Sequence, residues 1–121
     1  MPFSGEGTQS ATLQLQAGDV AFWTELDVEY QGNALLEYRI DLSQGGASVA
    51  TAACNPLGQM KIKMGWLETD FGASHSRRGS GKMACTASLT KGGPTTVEAS
   101  LAFGLRPATV TLNKANLVLK Q

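Results

Sequence analysis

The sequence predicts an all-β protein: an antiparallel two-sheet β-sandwich, jelly-roll-like, of about eight strands, in a single domain spanning residues 1–121. Three observations predict it. Apolar and polar residues alternate with period two in almost every segment, the pattern of strands with one wet face. Gly, Pro and Asn punctuate those segments at short intervals. No stretch shows the spacing of an amphipathic helix. Eight short strands in 121 residues fit a sandwich, with a jelly roll as the leading topology. An immunoglobulin-like sandwich fails on its markers. Trp66 is the only Trp between Cys54 and Cys85, and no tyrosine sits two residues before Cys85.

The segments follow in order. ATLQLQA (11–17) sets Leu13, Leu15 and Ala17 against Thr12, Gln14 and Gln16. AFWTELDVEY (21–30) sets Phe22, Thr24, Leu26, Val28 and Tyr30 against Trp23, Glu25, Asp27 and Glu29. Next, ALLEYRIDLS (34–43) sets Leu36, Tyr38, Ile40 and Leu42 against Glu37, Arg39 and Asp41. Gly45-Gly46 then breaks the chain before ASVATAAC (47–54), and Asn55-Pro56-Leu57-Gly58 is a turn. QMKIKMGWLE (59–68) places Met60, Ile62, Met64 and Trp66 inward, with Lys61 and Lys63 opposite. Strands at 82–90, 95–105 and 108–121 complete the set, separated by KGGP and by Arg106-Pro107.

The second and third of these segments are expected to form a hairpin. A two-residue turn at Gly32-Asn33 would set Val28 opposite Glu37 and mix apolar with charged residues on one face. A three-residue loop, Gln31-Gly32-Asn33, or a bulge brings Val28 to Leu36 and Leu26 to Tyr38. The other face then pairs Glu25 with Arg39 and Asp27 with Glu37, with Trp23 beside Asp41. Its five carboxylates (Glu25, Asp27, Glu29, Glu37, Asp41) repel one another and need positive company. Lys61 and Lys63, a bound cation or a basic partner would supply it.

Composition narrows the function classes. Hydrophobic content of 42% with 17% charged residues belongs to a folded globular chain. The apolar runs fall far short of the roughly 20 residues that cross a bilayer, so no membrane insertion is expected. The first ten residues lack a basic region followed by an apolar stretch, so a signal peptide is expected to be absent or already removed. The formal charge of zero argues against a nucleic-acid binder. It conceals a split: residues 1–60 hold seven acids and one base, net −6, and residues 61–121 hold nine bases and three acids, net +6. Cys54 and Cys85 are expected to form a disulfide in an oxidising compartment, in preference to two buried thiols. With a single His and this cysteine spacing, no zinc site is expected. Calcium, the only cofactor worth weighing, needs carboxylates converging from loops, not a row along a strand.

The segment TDFGASHSRRGSGK, Thr69 to Lys82, shows no strand pattern and is expected to be a long loop, a kind of segment often functional. It brings His75, Arg77 and Arg78, whose guanidinium groups suit a carboxylate or phosphate. Ser74-His75-Ser76 makes no nucleophile–base pair, and Gly79-Ser80-Gly81-Lys82 lacks the spacing of a phosphate loop. A glycosidase pair needs one carboxyl with its pKa raised by burial, which an exposed strand face does not give. No enzyme is expected. The candidate ligand or partner surface comprises Trp23, Glu25, Asp27, Glu29, Glu37, Arg39, Asp41, His75, Arg77 and Arg78.

The eight-strand alternation, with LQLQAGDVAFWTELDVEY near the start and ATVTLNKANLVLKQ at the end, resembles small bacterial jelly-roll modules of the carbohydrate-binding type. That resemblance implies glycan binding on a sheet face with exposed aromatics, of which Trp23 is the match. It also implies a structural calcium ion near the terminal strands. The expected function is therefore a non-catalytic binding, adhesion or structural module, secreted, periplasmic or at the cell surface. It would meet a protein or glycan partner through an exposed sheet face and the 69–82 loop. The alternative is a self-assembling homo-oligomer whose acidic hairpin docks on a neighbour's basic loop.

Overall fold

In the computed structural model, which describes residues 1–121, the chain runs as nine strands. β4 (Leu35–Gln44) and β5 (Ala47–Cys54) form a tight hairpin. Its two turn residues, Gly45 and Gly46, take φ of 60° and 84°, a left-handed pair that glycine adopts at least cost. Outward from that tip the chain pairs with itself as an antiparallel ribbon. β3 (Gly18–Gln31) pairs with β7 (Ser74–Leu89), β2 (Gly7–Leu15) with β8 (Gly93–Leu105), and β1 (Pro2–Phe3) with β9 (Thr109–Lys120). Successive pairs fall in alternate sheets. The result is a five-stranded sheet, β1-β9-β3-β7-β6, facing a four-stranded sheet, β2-β8-β4-β5. The remaining strand, β6 (Met60–Phe71), pairs with β7 and forms one edge of the larger sheet.

The alternation expected for 21–30 and 34–43 is present. Val20, Phe22, Thr24, Leu26 and Val28 of β3 are buried, as are Leu36, Tyr38, Ile40 and Leu42 of β4. They join Met83, Val97, Leu101 and Leu117 in one core between the sheets. Each such side chain contributes roughly 1.5–3 kcal/mol on burial. The buried hydroxyls of Thr24 and Tyr38 satisfy each other at 3.0 Å. Cys54 of β5 and Cys85 of β7 are disulfide-bonded, with Cα atoms 5.4 Å apart, and the bridge links the two sheets.

Three expectations are corrected. β3 and β4 do not form a hairpin; they lie in different sheets, and their apolar rows meet across the core. The charges favour this placement. Beside β4, Asp27 would face Glu37; in the observed sheet, β3 lies between β7 and β9, where Arg78 and Lys114 stand opposite Asp27. Second, Thr69–Lys82 is not a loop. It forms the turn end of a long β6–β7 hairpin that turns at Gly72-Ala73, with Gly72 at φ 61° and Phe71 opposite Ser74. Its inward row (His75, Arg77, Gly79, Gly81) is polar or without side chain, so no apolar period marks it. Third, bulges between Met60 and Ile62 and between Met64 and Leu67 turn Ile62 and Met64 to the outer face, opposite Lys82 and Ser80.

Candidate binding face

The outer face of the five-stranded sheet is built from three adjacent rows. β3 contributes Trp23, Glu25, Asp27, Glu29 and Gln31 down the middle. β7 contributes Ser74, Ser76, Arg78, Ser80 and Lys82 on one side, and β9 contributes Thr109, Thr111, Lys114, Asn116 and Val118 on the other. Period two fixes these assignments, because the opposite row of β3 is the core row. The acids therefore find their positive company within their own sheet. Lys114 Nζ lies 2.8 Å from Glu25, and the Asn116 amide donates to the same carboxylate at 3.2 Å. These two donors hold the Glu25 carboxyl below its ordinary range, Lys114 having the larger effect. The Asn113 amide donates to Asp27 at 3.5 Å. At the far end the Lys120 ammonium sits 4.3 Å from the Trp23 ring centroid and covers one face of the indole.

At the other end of these rows the face dips into a groove of about 340 Å3. Glu29 and Gln31, Thr69 and Phe71, Ser74 and Ser76, and Thr109 and Thr111 line it, a pair from each of four strands, with Tyr30, His75 and Val110 at its end. Its walls are thus mostly hydroxyl, amide and carboxylate, and its rim is Phe71, which is 85% exposed. A smaller depression of about 230 Å3 lies beside Trp23, bounded by Met64, Ser80, Val118 and Lys120.

A second polar cluster occupies the inward side of the β6–β7 hairpin. His75 Nδ1–H donates to Asp70 at 2.6 Å, and Arg77 donates to the same oxygen at 2.8 Å. The Trp66 indole donates to Glu68 at 2.8 Å, with Lys63 at 3.6 Å and Arg77 at 3.9 Å. Both carboxyls are held below their ordinary range: Asp70 first by His75 and then by Arg77, Glu68 first by the Trp66 hydrogen bond. The His75 ring lies 5.1 Å from the Tyr30 ring.

The ten expected site residues are thus divided among three places. Trp23, Glu25, Asp27, Glu29 and Arg78 share the outer face of the five-stranded sheet. His75 and Arg77 belong to the inward cluster. Glu37, Arg39 and Asp41 lie on the outer face of the four-stranded sheet, where Arg39 pairs with Glu37 and Asp41 accepts from Ser48. No group of three or more His, Cys, Asp or Glu side chains is placed to hold a metal ion. Thr69 and Phe71 fall in the 69–82 segment expected to make contact, though neither was singled out; Gln31, Thr109 and Thr111 were not expected at all. The alternation of Thr109 and Thr111 with Val110 and Leu112 was the one available signal for them.

No helix is long and apolar enough to cross a membrane. No family model, curated protein or solved structure matches the chain.

Proposed function

We propose that this chain is a non-catalytic binding module that takes a glycan on the outer face of its five-stranded sheet. The observation that carries this reading is the groove between Gln31 and Thr111, with Phe71 at its rim. A sugar ring offers a C–H face that packs on an aromatic ring and hydroxyls that exchange hydrogen bonds with Ser, Thr, Gln and carboxylate groups. Phe71, 85% exposed at the edge of these polar groups, leaves its ring free to serve as that stacking surface. The volume falls within the range of small-ligand sites. Trp23, at the opposite end of the same rows, offers a second stacking surface for a longer chain.

Three observations support the wider reading. The alternating two-strand ribbon is the winding expected of a jelly roll. The disulfide fits a secreted, periplasmic or cell-surface site. The shifted carboxyls, Glu25, Glu68 and Asp70, all move down, opposite to what a general acid requires. Docking of an acidic hairpin on a neighbour's basic loop is set aside, because Asp27 and Arg78 are already neighbours in one sheet.

Calorimetric titration against a panel of soluble polysaccharides tests the proposal. Binding is expected for at least one of them, weakened about tenfold or more in Phe71→Ala, which is about 1.4 kcal/mol, with the melting temperature unchanged. Equal affinity in that variant, or no binding across the panel, overturns it.

A further inference from the structure

We infer that β6 is a self-association edge, and that two copies of this chain pair antiparallel along it to join their five-stranded sheets into one. This inference is independent of the glycan reading.

β6 ends its sheet, so one side of its backbone has no strand beside it. Free edges of this kind are usually blunted by charge, proline or bulges, and β6 carries inward charges and two bulges. Its outer face, however, is apolar: Ile62 is 44% exposed, and Met64 and Leu67 are each 58% exposed. What chooses a second copy over any other partner is the order of charges. Basic residues, Lys61 and Lys63, precede the centre of the strand, and acidic residues, Glu68 and Asp70, follow it. A two-fold axis passing between Gly65 and Trp66 sets Lys63 opposite Glu68 and Met64 opposite Leu67, with Ile62 opposite Thr69. Just beyond, Lys61 comes opposite Asp70.

The face of each residue agrees with this register. In an unbroken strand, Met64 and Leu67 would point to opposite sides. The bulge at Gly65-Trp66 puts both outward, opposite Ser80 and Arg78 of β7, and puts Lys63 and Glu68 together on the inward side. Apolar thus meets apolar at Met64 and Leu67, and base meets acid at Lys63 and Glu68. Within each copy Lys63 already lies 3.6 Å from Glu68, so four charges close a ring around the axis. The bulge also bends the edge toward the inward side, over Gly79. A rotation perpendicular to the sheet carries that bend into itself, so a second copy matches the kinked edge where a straight peptide strand does not. The matched stretch, Ile62–Thr69, is about 27 Å long on each strand. It ends before Phe71 and leaves the groove open.

Light scattering after size exclusion, at about 100 µM chain, tests this. The wild-type protein is expected to have twice the 12.7 kDa mass of one chain. Lys63→Glu and Glu68→Lys are each expected to be monomeric, since each brings like charges together across the axis. Mixing those two variants is expected to restore a dimer, seen as the heterodimer by native mass spectrometry, which no repair within one chain can explain. Leu67→Arg, at an exposed position, gives a second monomer should either charge variant fail to fold. A monomeric wild type, a dimer indifferent to all three substitutions, or a mixture that stays monomeric overturns the inference.

Discussion

A Cβ added to Gly79 would stand 2.5 Å from the Gly65 carbonyl oxygen and 2.7 Å from Trp66 Cα, at a φ of 141° that side chains rarely adopt. Both obstacles are backbone, so no rotamer change relieves them. Gly79→Ala is expected to lower stability by about 2 kcal/mol in denaturant unfolding, whereas Gly5→Ala, with open space around it, should fall within about 0.5 kcal/mol. Equal stabilities would mean that the bulge at Gly65-Trp66 does not press on β7. The second residue-scale case lies in the core. Burial pushes the Tyr38 phenol up to about 12 despite the Thr24 hydrogen bond, so it stays neutral at any ordinary pH. Thr24→Val keeps the shape but orphans that phenol, and should cost about 1–3 kcal/mol. Adding Tyr38→Phe should recover part of the loss, because no polar group is then left without a partner. A double variant no more stable than Thr24→Val would show that the Tyr38 phenol carries no penalty when Thr24 no longer bonds to it.

The β6–β7 hairpin is the element whose stability should follow pH. Asp70 and Glu68 have folded pKa values below their unfolded ones, near 4, so the unfolded chain binds protons more readily. Their stabilisation is complete above about pH 5 and is lost as pH falls through the unfolded and then the lower folded values. Amide-exchange protection in β6, referred to the intrinsic rate at each pH, should therefore fall relative to β4 as pH drops below about 4, and Asp70→Asn should remove much of that difference. A uniform loss of protection across both strands would place the acid response elsewhere. This hairpin also shows what the sequence could and could not reveal. Alternation encodes which face of a strand is dry, and it located eight of the nine strands and the buried rows of β3 and β4. It does not encode the neighbour. Phe22 to Val28 could bury against β4 sideways or across a core, and the charges of β7 and β9 favour the second. Where the inward row is His75, Arg77, Gly79 and Gly81, there is no dry face to detect, so a regular strand reads as a loop. The site suffered from the same blindness. Phe71 gains its meaning from the hairpin that sets it at the end of one cross-strand row with Ser74, Gln31 and Thr109, and without the hairpin it is one aromatic among small residues.

Across the whole molecule, the ribbon gives the charge split a use. Acidic β3, from the first half of the chain, lies between β7 and β9 from the second, and Lys114 meets Glu25 across that boundary. The same winding makes almost every pairing remote in sequence: the terminal ammonium group of Met1 bonds to Asn116, 115 residues away. Folding dominated by such contacts is expected in the millisecond-to-second range, since loop closure precedes most of the gain. The disulfide changes that order. It joins the end of β5 farthest from the β4–β5 tip, where Cys54 stands opposite Tyr38, to β7 across 31 residues, so in the oxidised unfolded chain one inter-sheet contact is already closed. Reduction should lower the unfolding free energy by about 3–4 kcal/mol, through the entropy restored to the unfolded chain. If winding starts at the tip, that loss falls mainly on the refolding rate, with unfolding nearly unchanged. Stopped-flow refolding of oxidised and reduced protein at matched denaturant separates the two limbs. A loss confined to unfolding would mean that the sheets meet first at the β1–β9 end, and that the bridge only locks a sandwich already formed.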